Sequence, residues 1–71
     1  MNYNYGKLRG RIREVFGTQS AFAKAMGMST TSLSTKLNNK IEFGQSEMDK
    51  ATDLLKINKE EIAKYFFNKY D

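Results

Sequence analysis

A chain of 71 residues with no Cys, no His and no Pro excludes disulfides and the usual cysteine and histidine metal sites, and it lacks the commonest general base. At this length one small core contributes roughly 3–5 kcal/mol beyond the entropy cost, leaving little room for an enzyme pocket. The net charge of +4 is unevenly placed, with +6 over residues 1–40 and −2 over residues 41–71. A half so basic suits a phosphate-binding surface, although on charge alone a solvated basic face serves equally well as an explanation.

The first six residues are polar and aromatic without periodicity and read as a loose arm. Leu8, Ile12, Val15 and Phe16 then form the i, i+4, i+7, i+8 stripe of an amphipathic helix over Lys7–Phe16, whose other face carries Arg9, Arg11 and Arg13. Gly10 inside that helix costs ~1 kcal/mol relative to Ala, so close packing against a neighbour is expected there. Gly17 is expected to end the helix in the left-handed cap position, and Thr18 is placed to cap the next. That second helix buries Phe22, Ala23 and Met26 and stops at Gly27. Met28 is expected to be buried in the turn, and Ser29 to cap a third helix over Thr30–Leu37 with Leu33 and Leu37 inward. Asn38 and Asn39 end it, since Asn tolerates the left-handed conformation best after Gly.

After a short loop flanked by Ile41 and Phe43, Gln45–Lys56 reads as a fourth helix with Met48, Ala51, Leu54 and Leu55 inward. Its acids Glu47 and Asp49 lie in the first turn, as the helix dipole prefers. Asn58 and Glu61 match a capping box for a fifth helix that buries Ile62 and either Tyr65 or Phe66. The expected fold class is therefore all-α, a compact five-helix domain spanning residues 1–71.

The spacing of Ala23, Gly27 and Leu33 resembles the helix-turn-helix of the lambda-repressor-like (Cro/C1, XRE) family, over about residues 8–66. A small residue lets the helices cross closely, a glycine makes the turn, and a leucine wedges between them. The run from Ser32 to Lys40 is similar to phage and prophage regulators of the Firmicutes type. One position departs from the pattern. The second apolar residue of the recognition helix is Leu37, four after the wedge, and Lys36 stands where many members place it. A slight rotation of the helix, with Lys36 nearer the phosphates, is the expectation.

The resemblance implies that Thr30–Asn38 lies in the major groove of double-stranded DNA, presenting Thr30, Thr31, Ser34, Thr35 and Asn38, with Ser29 at its start. Thr and Ser can donate or accept, and a Thr methyl can pack on a thymine methyl. With no Arg mid-helix to grip guanine, part of the specificity is expected to come from DNA shape. A merely solvated helix would be better served by Glu, Lys or Gln, because Thr is ~0.6 kcal/mol worse than Ala in a helix. The family role of a phosphate-binding Gln at the start of the second helix carries over to Gln19, with an ordinary helix position as the alternative. Asn38 and Lys40 lie where the family clamps the DNA backbone, joined by Lys36. Arg9, Arg11 and Arg13 are expected mainly to steer at long range, and Ser20 to offer a phosphate contact.

The reading that follows is a Cro-like transcriptional regulator of a phage or prophage, acting in the cytoplasm at the nucleoid of a bacterial host. No cofactor, metal, membrane contact or small-molecule ligand is expected, and no apolar run approaches the ~18 residues of a membrane span. Without a sensing domain, any switch is expected to act through occupancy, dimerisation or a partner protein. The aromatic tail, Tyr65 to Tyr70, is expected to supply one or two core rings and the rest of a homodimer patch or an intermolecular strand. Tyr3 and Tyr5 are read either as folding onto the first helix or as reaching DNA. The alternative function is a protein-interaction module, antitoxin-like or anti-repressor. Catalysis is disfavoured, because Glu47, Asp49 and Asp53 share no helical face with a nucleophile and base.

Overall fold

Apolar residues three and four apart set the helices where the pattern requires them. The structure, a computed structural model, describes residues 2–70. Its helices are α1 (Gly6–Phe16), α2 (Gln19–Met26), α3 (Thr30–Leu37), α4 (Gln45–Leu54) and α5 (Ile62–Phe66), the last entered through a 3-10 turn at Lys59–Glu61. Helix α1 packs on α2 and α5, and α2 packs on α3 and α4. The core these faces enclose centres on Leu8, Ile12, Phe22, Leu33, Leu55 and Phe66. Ala23 is buried at the crossing of α2 and α3, and Met28 is half-buried behind it. The one buried polar residue among those described, Thr52, donates its hydroxyl to the Met48 carbonyl at 2.7 Å.

Three helices end in the same way. Each has a left-handed residue just past its last turn, with one backbone bond spanning six residues and a shorter one inside it. In α2 the left-handed residue is Gly27 (φ 77°), and Met28 N–H reaches Ala23 O at 3.0 Å. In α3 it is Asn39 (φ 65°), with Lys40 N–H to Thr35 O at 3.0 Å. In α4 it is Lys56 (φ 53°), with Ile57 N–H to Thr52 O at 3.0 Å. This last cap shortens α4 relative to the expected Gln45–Lys56. The burial of Ile57 explains why the chain turns there rather than one residue later.

The expected loose arm is instead tied down. Tyr3 and Lys69 form an antiparallel bridge, flanked by Asn4 N–H to Asn68 O at 2.6 Å and Tyr70 N–H to Asn2 O at 3.3 Å. The Asn39 side chain holds Tyr3 from the other side, accepting from its N–H and donating to its carbonyl, both at 2.8 Å. Tyr5 is buried and meets Phe43 edge-on (5.5 Å, 85°), and Phe43 meets Phe66 likewise (5.4 Å, 80°). Both tyrosines therefore pack onto the body. Phe66, rather than Tyr65, is the buried ring of α5. Met1 of the expected arm and Asp71 of the tail lie outside the described residues.

Two further expectations are corrected. Gly10 is exposed, and a Cβ built there meets nothing within 4 Å, so no close approach requires it. Asn58 makes no capping bond, because the chain enters α5 through a 3-10 turn that changes the register. The reaching-back carboxylate lies at α4, where Glu47 Oε1 accepts from Gly44 N–H at 2.8 Å.

Gly10→Ala should therefore stabilise the fold by about 0.5–1 kcal/mol, measured as a shift in urea midpoint at unchanged slope. Asn39→Ala removes two hydrogen bonds and places a Cβ-bearing, non-amide residue at positive φ. It should cost about 2–3 kcal/mol. Asn39→Gly, which tolerates the conformation and loses only the bonds, should cost less in the same assay.

Candidate nucleic-acid interface

The outward face of α3 depends on how the helix is held. Leu33 and Leu37 are buried against the core and fix its rotation. The Ser29 hydroxyl accepts from Ser32 N–H at 3.0 Å and also donates to Ser32 Oγ at 3.0 Å, so it serves as the cap of α3. Thr18 caps α2 in the same manner, accepting from Ala21 N–H at 3.1 Å.

With the inner stripe fixed, Thr30, Thr31, Ser34, Thr35, Asn38 and Lys40 line one shallow depression at the surface. The face carries its own hydrogen bonds. Thr35 donates to Thr31 O at 2.8 Å, and Asn38 Nδ2 donates to Ser34 Oγ at 3.3 Å. Ser20 Oγ and Thr30 Oγ1 lie 3.2 Å apart and join the starts of α2 and α3. A second depression, lined by Arg9, Arg13, Thr18 and Gln19 among others, lies between α1 and the start of α2. Arg9 connects the two, since its guanidinium donates to Leu37 O at 3.1 Å and to Asn38 Oδ1 at 3.0 Å. Gln19 is half-buried there.

Lys36 does not join this face. Its ammonium lies 3.0 Å from Glu47 Oε1 and donates to Glu42 O at 3.3 Å, and its side chain is only 14% exposed. The four-residue step from Leu33 to Leu37 therefore turns Lys36 toward α4, where it pairs with Glu47 rather than standing free beside the α3 face. Burial by itself raises the Glu47 carboxyl's pKa. The Gly44 N–H and the Lys36 ammonium more than offset this and hold it below the ordinary range. Arg11 is also turned away. Its Nε donates to Leu55 O at 2.8 Å, closing the end of α4, and it lies 3.6 Å from Glu14. Arg13 is exposed.

The sequence pattern marks Arg9 as a steering charge, with one or two of Arg9, Arg11 and Arg13 at most touching DNA, and it does not reveal the clamp on the end of α3. The partners are 28 residues apart, and no local pattern announces such a bond.

Residues 1–69 match the model of a family described as "Protein of unknown function (DUF739)". The chain belongs to that family. Among solved structures, the chain is similar to the modulator of repression of the temperate bacteriophage TP901-1 from Lactococcus lactis, known from its solution structure. The two are 47% identical, with a TM-score of 0.83, and the match covers 96% of this chain and 92% of the other. The chain is thus a homologue of a phage regulatory protein with the same all-α fold. No curated protein matches it. Among the described residues no helix is long and apolar enough to cross a membrane.

The Glu47 pair contributes to the acid limb of stability. A carboxylate whose folded pKa is lowered contributes stability that is present above its unfolded pKa, near 4.5, and lost as pH falls through the folded value. Glu47→Gln should lower the urea midpoint at pH 7 and flatten its decline below about pH 4.5. An unchanged acid limb would remove this role from Glu47.

Proposed function

We propose that this chain is a sequence-specific double-stranded DNA-binding regulator of phage or prophage transcription, a Cro-like member of the lambda-repressor-like helix-turn-helix class. The observation that carries the reading is the continuous surface made by α3, the start of α2 and α1. Thr30, Thr31, Ser34, Thr35 and Asn38 line its centre, with Lys40 at one end. Gln19, Arg9 and Arg13 adjoin it. In this reading α3 lies in the major groove, Thr30, Thr31, Ser34 and Thr35 face base edges, and Gln19, Ser20 and Lys40 meet phosphates. Ser29 orients α3 as its cap. The +6 charge of residues 1–40 supports phosphate binding. The relative's printed role, modulating repression in a temperate phage, supports a regulator rather than an enzyme.

A second copy would contact the first through Phe67 and Tyr70, which are 49% and 58% exposed, and would read a second half-site about 34 Å along the duplex. The expected intermolecular strand is less available, because Lys69 already bridges to Tyr3. The same exposed rings favour one other reading, a protein-interaction module of anti-repressor type. In that case Phe67, beside the depression lined by Met48 and Ile62, would meet a partner protein.

Selection from a random-sequence duplex pool separates the two. Under the DNA reading the chain enriches a defined site, and log K falls linearly with log salt. The double variant Thr31→Ala, Thr35→Ala should stay folded and lose its sequence preference by tenfold or more. Phe67→Ser with Tyr70→Ser should leave half-site affinity within about twofold. Absence of any enriched site, with a partner-binding defect in the ring variant, would replace this reading with the second.

A further inference from the structure

Resting on the DNA reading above, we infer that α3 reads thymine through its C5 methyl group, with the Thr35 methyl as the principal probe. Several hydroxyls on this face already make hydrogen bonds within the protein. Thr35 donates its hydroxyl proton to Thr31 O at 2.8 Å. Thr30 Oγ1 is within 3.2 Å of Ser20 Oγ. Ser34 Oγ accepts from Asn38, whose own oxygen accepts from Arg9 at 3.0 Å. Among the described residues, Thr35 is the member of this group whose hydroxyl proton goes to the helix's own backbone; Ser34 accepts but keeps its proton, and Thr31 has no such bond.

A side chain that trades an existing hydrogen bond for one to a base gains little, since the exchange is nearly even. A methyl group loses nothing by the contact and removes apolar area from water. The threonine Cβ carries a hydroxyl, a methyl and a hydrogen. With the Thr35 hydroxyl folded back onto the helix backbone, the methyl is the group left to meet the groove. Thr31 and Thr35 are four apart and share one helical face, so the free hydroxyl and this methyl adjoin. In the major groove the only apolar group that distinguishes a natural base is the thymine methyl. The half-buried Thr35, lining the depression with Thr31, is placed for that contact. Thr31 then supplies the direct hydrogen bond to an adjacent base edge.

Deoxyuridine differs from thymidine by that methyl alone, which makes the native protein its own test. Duplexes enriched from a random-sequence pool made with thymidine would be resynthesised with deoxyuridine, one position at a time. At least one position should weaken binding by about fourfold, the worth of one buried methyl-sized group. Thr35→Ser, which keeps the hydroxyl and loses the methyl, should bind the thymidine duplex about fourfold more weakly and no longer distinguish the two. Thr35→Val, which keeps a methyl and loses the hydroxyl, should still distinguish them. Tight binding that is indifferent to every deoxyuridine would overturn the inference while leaving the DNA reading intact. So would discrimination that survives in Thr35→Ser and vanishes in Thr35→Val, because the hydroxyl would then be the reader. If no duplex is enriched at all, the DNA reading fails and this inference fails with it.

Discussion

Asn39 is the point on which the candidate face depends. It closes α3 in a left-handed conformation that its side chain makes tolerable. The same side chain then bonds both the N–H and the carbonyl of Tyr3, much as a neighbouring strand would. Tyr3 in turn bridges to Lys69. One amide therefore ties the end of α3 to both termini, 36 residues back and 30 ahead. A helix of eight residues has little stability of its own in water. Its rotation and its end are set by these contacts, by the buried leucines and by the Arg9 clamp.

The division of the basic residues follows from the same economy. In a domain this small, several cations work as structural donors. Arg11 closes α4, Lys36 pairs with Glu47, and Lys50 reaches the Met26 carbonyl at 3.4 Å. Charge counted along the chain thus overstates what a ligand can meet. Arg9 is the instructive case, because it is both a clamp on α3 and part of the rim of the adjoining depression. Its position joins the scaffold to the surface that the scaffold presents.

The face itself is chemically quiet. Several of its hydroxyls are bonded to one another or to the backbone, so the face offers shape and methyl groups beside the donors left at Thr31 and Ser34. In the proposed DNA reading such a surface would discriminate by modest increments at each position. The exposed Phe67 and Tyr70 lie in the more acidic half of the chain, apart in sequence from the α3 face.

Periodicity and punctuation determined most of the local structure. The leucine and phenylalanine spacings placed four helices, Gly27 and the Asn38-Asn39 pair marked two of the helix ends, and Thr18 and Ser29 were legible as N-caps because their bonds close within three residues. The outward set on α3 followed from Leu33 and Leu37 by helical geometry alone. Tertiary structure decided whatever depends on partners far apart in sequence. The tie between the termini, the Asn39 amide, the Arg9 clamp and the pairing of Lys36 with Glu47 all join separate elements. The emptiness around Gly10 and the end of α4 at Lys56 belong to the same class. Local patterns report the hydrogen bonds a segment makes with itself. Which cation is held by the scaffold and which is free for a ligand is set by the packing of helices, and only the folded chain contains that information.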